Sequence, residues 1–194
     1  MTEAAYAASD ESRGDISIQV PVNMRKYCPS HTLRNFSMYF SVRTPRAKAG
    51  DAQQLLPDIS HQLAEGVSEQ SMRRMLASTT QMVHLLSCVP LAVKRPAARL
   101  AYGFLGERAF TSTLSNLGAA RLPENVAPHV RKLDFVLGTG EQSRAACAMV
   151  TLGRCAVLSV TKLTEDKSFE TRLLELFEAA DVPVKLSGSM LYGA

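Results

Sequence analysis

The residues best placed to do chemistry are a serine and an asparagine at the end of a β-prone run, Ser115 and Asn116 in Thr113-Leu114-Ser115-Asn116-Leu117-Gly118. A hydroxyl beside a carboxamide can hydrogen-bond a substrate carbonyl or a developing oxyanion. Asn and Gly also terminate strands for purely conformational reasons, so the same residues read equally as a strand-end turn. A second polar group lies in Val20-Pro21-Val22-Asn23-Met24-Arg25-Lys26 and continues through Ser30-His31-Thr32-Leu33-Arg34-Asn35-Phe36. Asn23, Arg25 and Asn35 could meet a ligand there. They could also serve structure, because Asn can satisfy a backbone group and Arg can pair with a carboxylate.

Other chemistries find little support. The four histidines, His31, His61, His84 and His129, are too far apart in sequence to suggest a metal pair. Ser60-His61-Gln62-Leu63-Ala64-Glu65-Gly66 mimics a His-His-x-x-x-Asp-Gly loop, but Ser60 replaces the first histidine and Glu65 the aspartate. It also lies inside a helical pattern, so His61 reads as a surface residue near a helix C-terminus, where its charge suits the dipole. Cys28, Cys88, Cys147 and Cys155 form no C-x-x-C pair and read as free thiols of a reducing compartment. No G-x-S-x-G and no phosphate-binding glycine loop is present. Net charge is +4, with 22 Lys+Arg against 18 Asp+Glu. The cluster from Arg43 to Lys48 is broken by Pro45 and reads as a solvated turn. Aromatic content of 6% with no tryptophan argues against a nucleic-acid platform. No apolar run reaches the roughly 18 residues of a membrane span, and the polar start from Met1 to Gly14 is no signal peptide.

The elements that must hold these residues follow from periodicity. Met1 to Gly14 reads as a flexible lead or helix end, with a single domain from 15 to 194. Ile16, Ile18, Val20, Val22 and Met24 alternate with polar partners, which predicts a strand with one buried face. Pro21 cannot donate to a ladder and marks an edge or a bulge. Phe36, Met38, Phe40 and Val42 alternate in a second strand. Leu55, Leu56, Ile59 and Leu63 predict a helix ending at Gly66. Ser68 is the N-cap of a second helix, whose stripe is Met72, Met75, Leu76, Thr79, Val83 and Leu86. A third helix opens near Pro96 and stops at Gly106. Strands are expected at Phe110–Leu114, Leu133–Leu137, Ala145–Thr151 and Cys155–Thr161, with turns at Gly138-Thr139-Gly140 and Leu152-Gly153-Arg154. An amphipathic helix through Phe169, Leu173, Leu176 and Phe177 precedes a short strand, Val184–Leu186. The fold class is α/β, a mixed β-sheet packed with helices.

Three segments carry a family resemblance: PVNMRK at Pro21–Lys26, SHTLRNF at Ser30–Phe36 and TLSNLG at Thr113–Gly118, with Leu122-Pro123 after it. Together they resemble the alcohol acetyltransferase family, within the condensation-domain and chloramphenicol-acetyltransferase-like superfamily, over about residues 15 to 186. The resemblance implies one lobe of a two-lobed fold, the C-terminal one, with an active-site tunnel between lobes. It implies acetyl-CoA or a longer acyl-CoA as co-substrate, with no cofactor bound, and a small alcohol as acceptor. It implies as partner a missing N-terminal lobe, or a homologous chain, that carries the HHxxxDG histidine. Family members are about twice as long. The chain is therefore expected to be a truncated product, one piece of a split protein, or a domain of a longer chain, inactive alone and cytoplasmic. No catalytic residue carries over. Ser115, Asn116, Asn35, Asn23 and Arg25 carry over as candidate substrate-binding positions. The alternatives are a non-catalytic module that binds a partner or acyl ligand, and a gene remnant.

Overall fold

The computed structural model describes residues 1–8, 14–105, 110–138 and 145–188. Its elements are helix α1 (Thr2–Ala7), strands β1 (Ile16–Asn23) and β2 (Ser37–Thr44), helices α2 (Ala52–Gly66), α3 (Glu69–Ser87) and α4 (Leu91–Leu105), strands β3 (Ser112–Ala119), β4 (Ala145–Leu152) and β5 (Cys155–Thr161), and helix α5 (Ser168–Ala179). The architecture is α/β: a five-stranded mixed sheet in the order β2-β1-β3-β4-β5, packed with helices. β1 with β2 and β4 with β5 are antiparallel, whereas β1, β3 and β4 run parallel.

The alternation in β1 buries Ile16 and Ile18 towards α1 and α5, where Ala4, Ala5, Ala145, Cys147 and Phe169 complete a core. Val22 and Met24, further along, enter a second core with Tyr27 and Met72, flanked by Phe36, Met38 and Phe40. The lead expected before residue 15 thus includes a helix whose Ala4 and Ala5 are fully buried, and whose Glu3 pairs with Arg172 of α5.

Several boundaries differ from the sequence reading. β3 begins at Ser112 and runs to Ala119, five residues past Leu114, because its ladder with β4 continues through a register shift between Asn116 and Ala119. α4 begins at Leu91, right after Pro90, and Pro96 lies inside it. Leu133, Phe135 and Leu137 are half-buried between exposed neighbours, as the alternation requires, yet residues 131–138 join no ladder. This extended segment is tied instead by Thr161, whose hydroxyl donates to the Leu137 carbonyl at 2.7 Å. Residues 184–186 form no strand either; Val184 and Leu186 stay exposed. The hairpin at Gly153 is present, with Gly153 at φ +59°. The Gly106 helix stop, most of the Gly138–Gly140 turn and residues 9–13 of the lead lie outside the described residues.

Candidate functional site

Because β1, β3 and β4 are parallel, their C-terminal ends share one end of the sheet, together with the start of β2, where Asn23 stands opposite Ser37. The three motifs therefore converge. PVN closes β1, the SHTLRNF loop opens β2, and TLSN lies within β3, level with the second half of β1.

Between β1 and β3 the sheet forks. β1 pairs with β2 along its whole length, and β3 with β4 from Ser112 to Asn116 and again at Ala119. β1 and β3 pair only at Ile18 opposite Ser112 and Gln19 opposite Thr113. Beyond that point both strands continue without a ladder between them. Pro21 reports the same opening. The Ser17 carbonyl accepts from the Thr111 N–H at 2.7 Å, while the Met24 N–H turns the other way to Phe36. Peptide groups alternate sides along a strand, so odd residues of β1 face β3. The missing N–H of Pro21 thus falls where no partner strand waits. That is how proline stands in the second strand of the sheet rather than at its edge.

Asn23, Arg25 and Asn35 hold the loop at this end. Asn23 Oδ1 accepts from the Arg25 N–H at 3.1 Å and caps the single 3-10 turn Met24–Lys26. Arg25 Nη2 donates to the carbonyls of Thr32 at 2.6 Å and Arg34 at 2.8 Å, and the guanidinium lies 6.0 Å from the Phe36 ring centre. Asn35 Oδ1 accepts from the Ser37 hydroxyl at 2.8 Å. Ser30 and Thr32 accept from N–H groups two residues ahead. The side chains of Asn23, Arg25, Ser30, Thr32 and Asn35 are thus spent on loop shape, and the loop presents Leu33 fully exposed.

Ser115 and Asn116 do not act as a pair. They are consecutive in a strand and point to opposite faces. Ser115, level with Ala148, is buried, while Asn116, level with Met149, is exposed. Nor do they end the strand. Asn116 Oδ1 accepts from the Gly118 N–H at 2.8 Å, which bends the chain where Gly118 adopts φ +70° and the register slips. That leaves the Asn116 amide N–H₂ as the donor free to meet a ligand at the fork. The sequence reading missed the fork itself. Its one signal was Pro21, a residue without an N–H in the middle of a clean alternation.

His61 is exposed on α2 and sits 3.5 Å from Glu65, one turn on. Among the described residues no three His, Cys, Asp or Glu side chains converge as a metal site. Cys147 is buried beneath α1 and α5, and loss of solvent pushes its thiol up to about 12, so it stays protonated and unreactive at neutral pH. No described helix is long and apolar enough to cross a membrane. In comparisons with known proteins, the chain matches no family model, no curated sequence and no solved structure.

Proposed function

We propose that this chain is the C-terminal lobe of a CoA-dependent O-acyltransferase of the alcohol acetyltransferase type, and that it binds the acyl carrier at the fork between β1 and β3. The observation that carries this reading is the coincidence of the fork with the resemblance motifs. PVN and TLSN bound its two sides, and the SHTLRNF loop leads from the same end of β1 into β2. An opened strand pair offers peptide N–H and C=O groups without ladder partners. A thioester carrier whose arm contains amides can pair with them as an added strand does. Asn116 then donates its amide to a ligand carbonyl.

The general base belongs to the companion lobe, since this sequence has no His-His-x-x-x-Asp-Gly. There a histidine takes the alcohol proton, the oxygen attacks the thioester carbonyl, and hydrogen-bond donors hold the oxyanion until the thiolate leaves and is protonated. Leu33, an apolar side chain held in solvent by a tightly bonded loop, suits a contact with that lobe. The test is to supply a separately expressed alcohol acetyltransferase N-terminal lobe carrying HHxxxDG and to follow thiol release from acetyl-CoA with short alcohols. Turnover that needs both pieces, and that Asn116→Ala lowers at least about tenfold, more than the small loss of stability from its bond to the Gly118 N–H accounts for, supports the reading. Binding of acyl-CoA without turnover in any pairing favours the non-catalytic module.

A further inference from the structure

β5 closes one side of the sheet, and among the described residues no strand lies beyond it. Its two-residue turn brings Leu152 opposite Cys155. Such a turn closes on a hydrogen-bonded pair, and these pairs alternate along the ladder. Val157, Ser159 and Thr161 therefore bond to β4, whereas Ala156, Leu158 and Val160 turn their N–H and C=O groups outward. The edge from Cys155 to Thr161 carries no charge and no proline, the residues that guard an edge strand. Leu158 and Val160 pack with Phe169 and Leu173, so α5 lies on their face of the sheet. The flank of α5 on the side of this edge is apolar. Arg172 pairs with Glu3 of α1, and Leu174 and Phe177 stand about 200° and 140° round the helix from it. Glu170, on the same flank as these two, bonds to Lys162 just past β5 at 2.6 Å.

Residues 182–188, after α5, lack what β5 offers. They join no ladder and all are exposed. Val182, Val184 and Leu186 alternate with Pro183, Lys185 and Ser187, and the stretch matches the 7 residues of β5 in length. Leu174 and Phe177 line a cleft of about 570 Å³ with Val182 and Val184. A strand on the β5 edge that laid its apolar side chains under α5 would fill such a cleft. Direction decides whose strand it is. A chain that leaves β5 and returns through one helix reaches this edge parallel to β5. In strands of one direction, side chains on one face go with peptide groups turned to one side. A parallel strand with Val182, Val184 and Leu186 on the α5 face thus turns Pro183 and Lys185 to β5, and Pro183 has no N–H to give. An antiparallel strand turns Val182, Val184 and Leu186 to β5 and Pro183 outward, where a proline seals the new edge.

We propose that this segment adds as an antiparallel strand to β5 of a second copy, each copy giving its segment to the other. With Val184 opposite Leu158, Val182 falls beside Val160 and Leu186 beside Ala156, a large side chain against a small one. Two copies related by a two-fold axis satisfy both edges at once. The proposal stands independently of the acyl-transfer reading.

The experiment is analytical ultracentrifugation of the full chain across concentration, with hydrogen exchange at the amides of Ala156, Leu158 and Val160 followed by NMR. The chain dimerises, and those three amides gain protection in step with the dimer. Burying a valine side chain is worth about tenfold or more in affinity, so Val184→Asp weakens the dimer by at least about tenfold. Val184 is exposed, so the circular dichroism of the monomer stays unchanged. Ala156→Pro weakens it from the other side, because it removes an outward N–H and leaves the ladder with β4 in place. Mixed together, the two variants associate more tightly than either does alone, since V184D still offers its edge and A156P its segment. A monomer at every concentration overturns the proposal. So does a dimer that V184D leaves intact, which joins the copies some other way. Protection of the three amides in a monomer places the segment on its own β5 and overturns it too.

Discussion

Arg25 is the residue on which the loop between β1 and β2 depends. One guanidinium nitrogen closes the loop from both Thr32 and Arg34, and Asn23 starts the turn that aims it. Hydrogen bonds from charged groups contribute about 1.5–3 kcal/mol when shielded, and Arg25 is only half-buried. Arg25→Met is therefore expected to destabilise the chain by about 1–2 kcal/mol in urea titration, with Asn23→Ala costing about 1 kcal/mol through loss of the cap. At this scale the sequence was legible in composition but not in role. Arg25 and Asn35 show their type in the sequence, whereas their partners are backbone carbonyls and hydroxyls that no spacing rule singles out. Cys147 gives a second expectation. Its thiol rises from the ordinary 9.0 to about 12 on folding because burial penalises the thiolate. The folded state then holds its proton where the unfolded state has released it. Stability from this group is present below about pH 9 and is lost as pH climbs towards 12. Melting temperatures of the wild type should fall more steeply above pH 9 than those of Cys147→Ala.

The elements were legible wherever one face meets a core. β1, β2 and α5 follow their alternation or stripe, β4 and β5 form at the two β-prone runs, and Ser68 caps α3, accepting from the Ser71 N–H at 3.3 Å. Periodicity alone misled at Leu133–Leu137, where alternate burial arises from an extended segment lying beside the sheet without a ladder. It misled again in α3, where Thr79, Val83 and Leu86 continue the stripe beyond the surface available to bury it. The join between α2 and the sheet depends on Gly66 for a reason no helix-end rule contains. A Cβ there would stand 2.0 Å from the Phe40 ring. Gly66→Ala should therefore cost about 1–3 kcal/mol by overpacking, and Phe40→Leu in the same chain should return part of that loss. The side chain of Gln62 adds a polar tie, donating to the Arg43 carbonyl at 2.8 Å and accepting from its N–H at 2.9 Å, and so blunts the outer edge of β2.

For the whole molecule, the α/β class and the mixed sheet could be read from the sequence, but the strand order could not. Placing β3 between β1 and β4, with a fork on one side only, follows from tertiary pairing. Under the proposed reading the isolated chain is expected to show no acyl transfer, because general-base catalysis is worth about a hundredfold to ten-thousandfold and that reading assigns the base and part of the positioning to a companion lobe. Sustained thiol release from acetyl-CoA by the purified chain, abolished by His61→Ala, would contradict this. The most direct test of the central claim is an NMR titration of the isolated chain with coenzyme A. The account predicts shifts centred on the Asn23 amide and the Pro21–Val22 peptide of β1, whose carbonyl faces the fork, and on the amides of Leu114 to Gly118 on β3, weakened by Asn116→Ala. Shifts that spare both sides of the fork, or the absence of any shift at saturating coenzyme A, would contradict it.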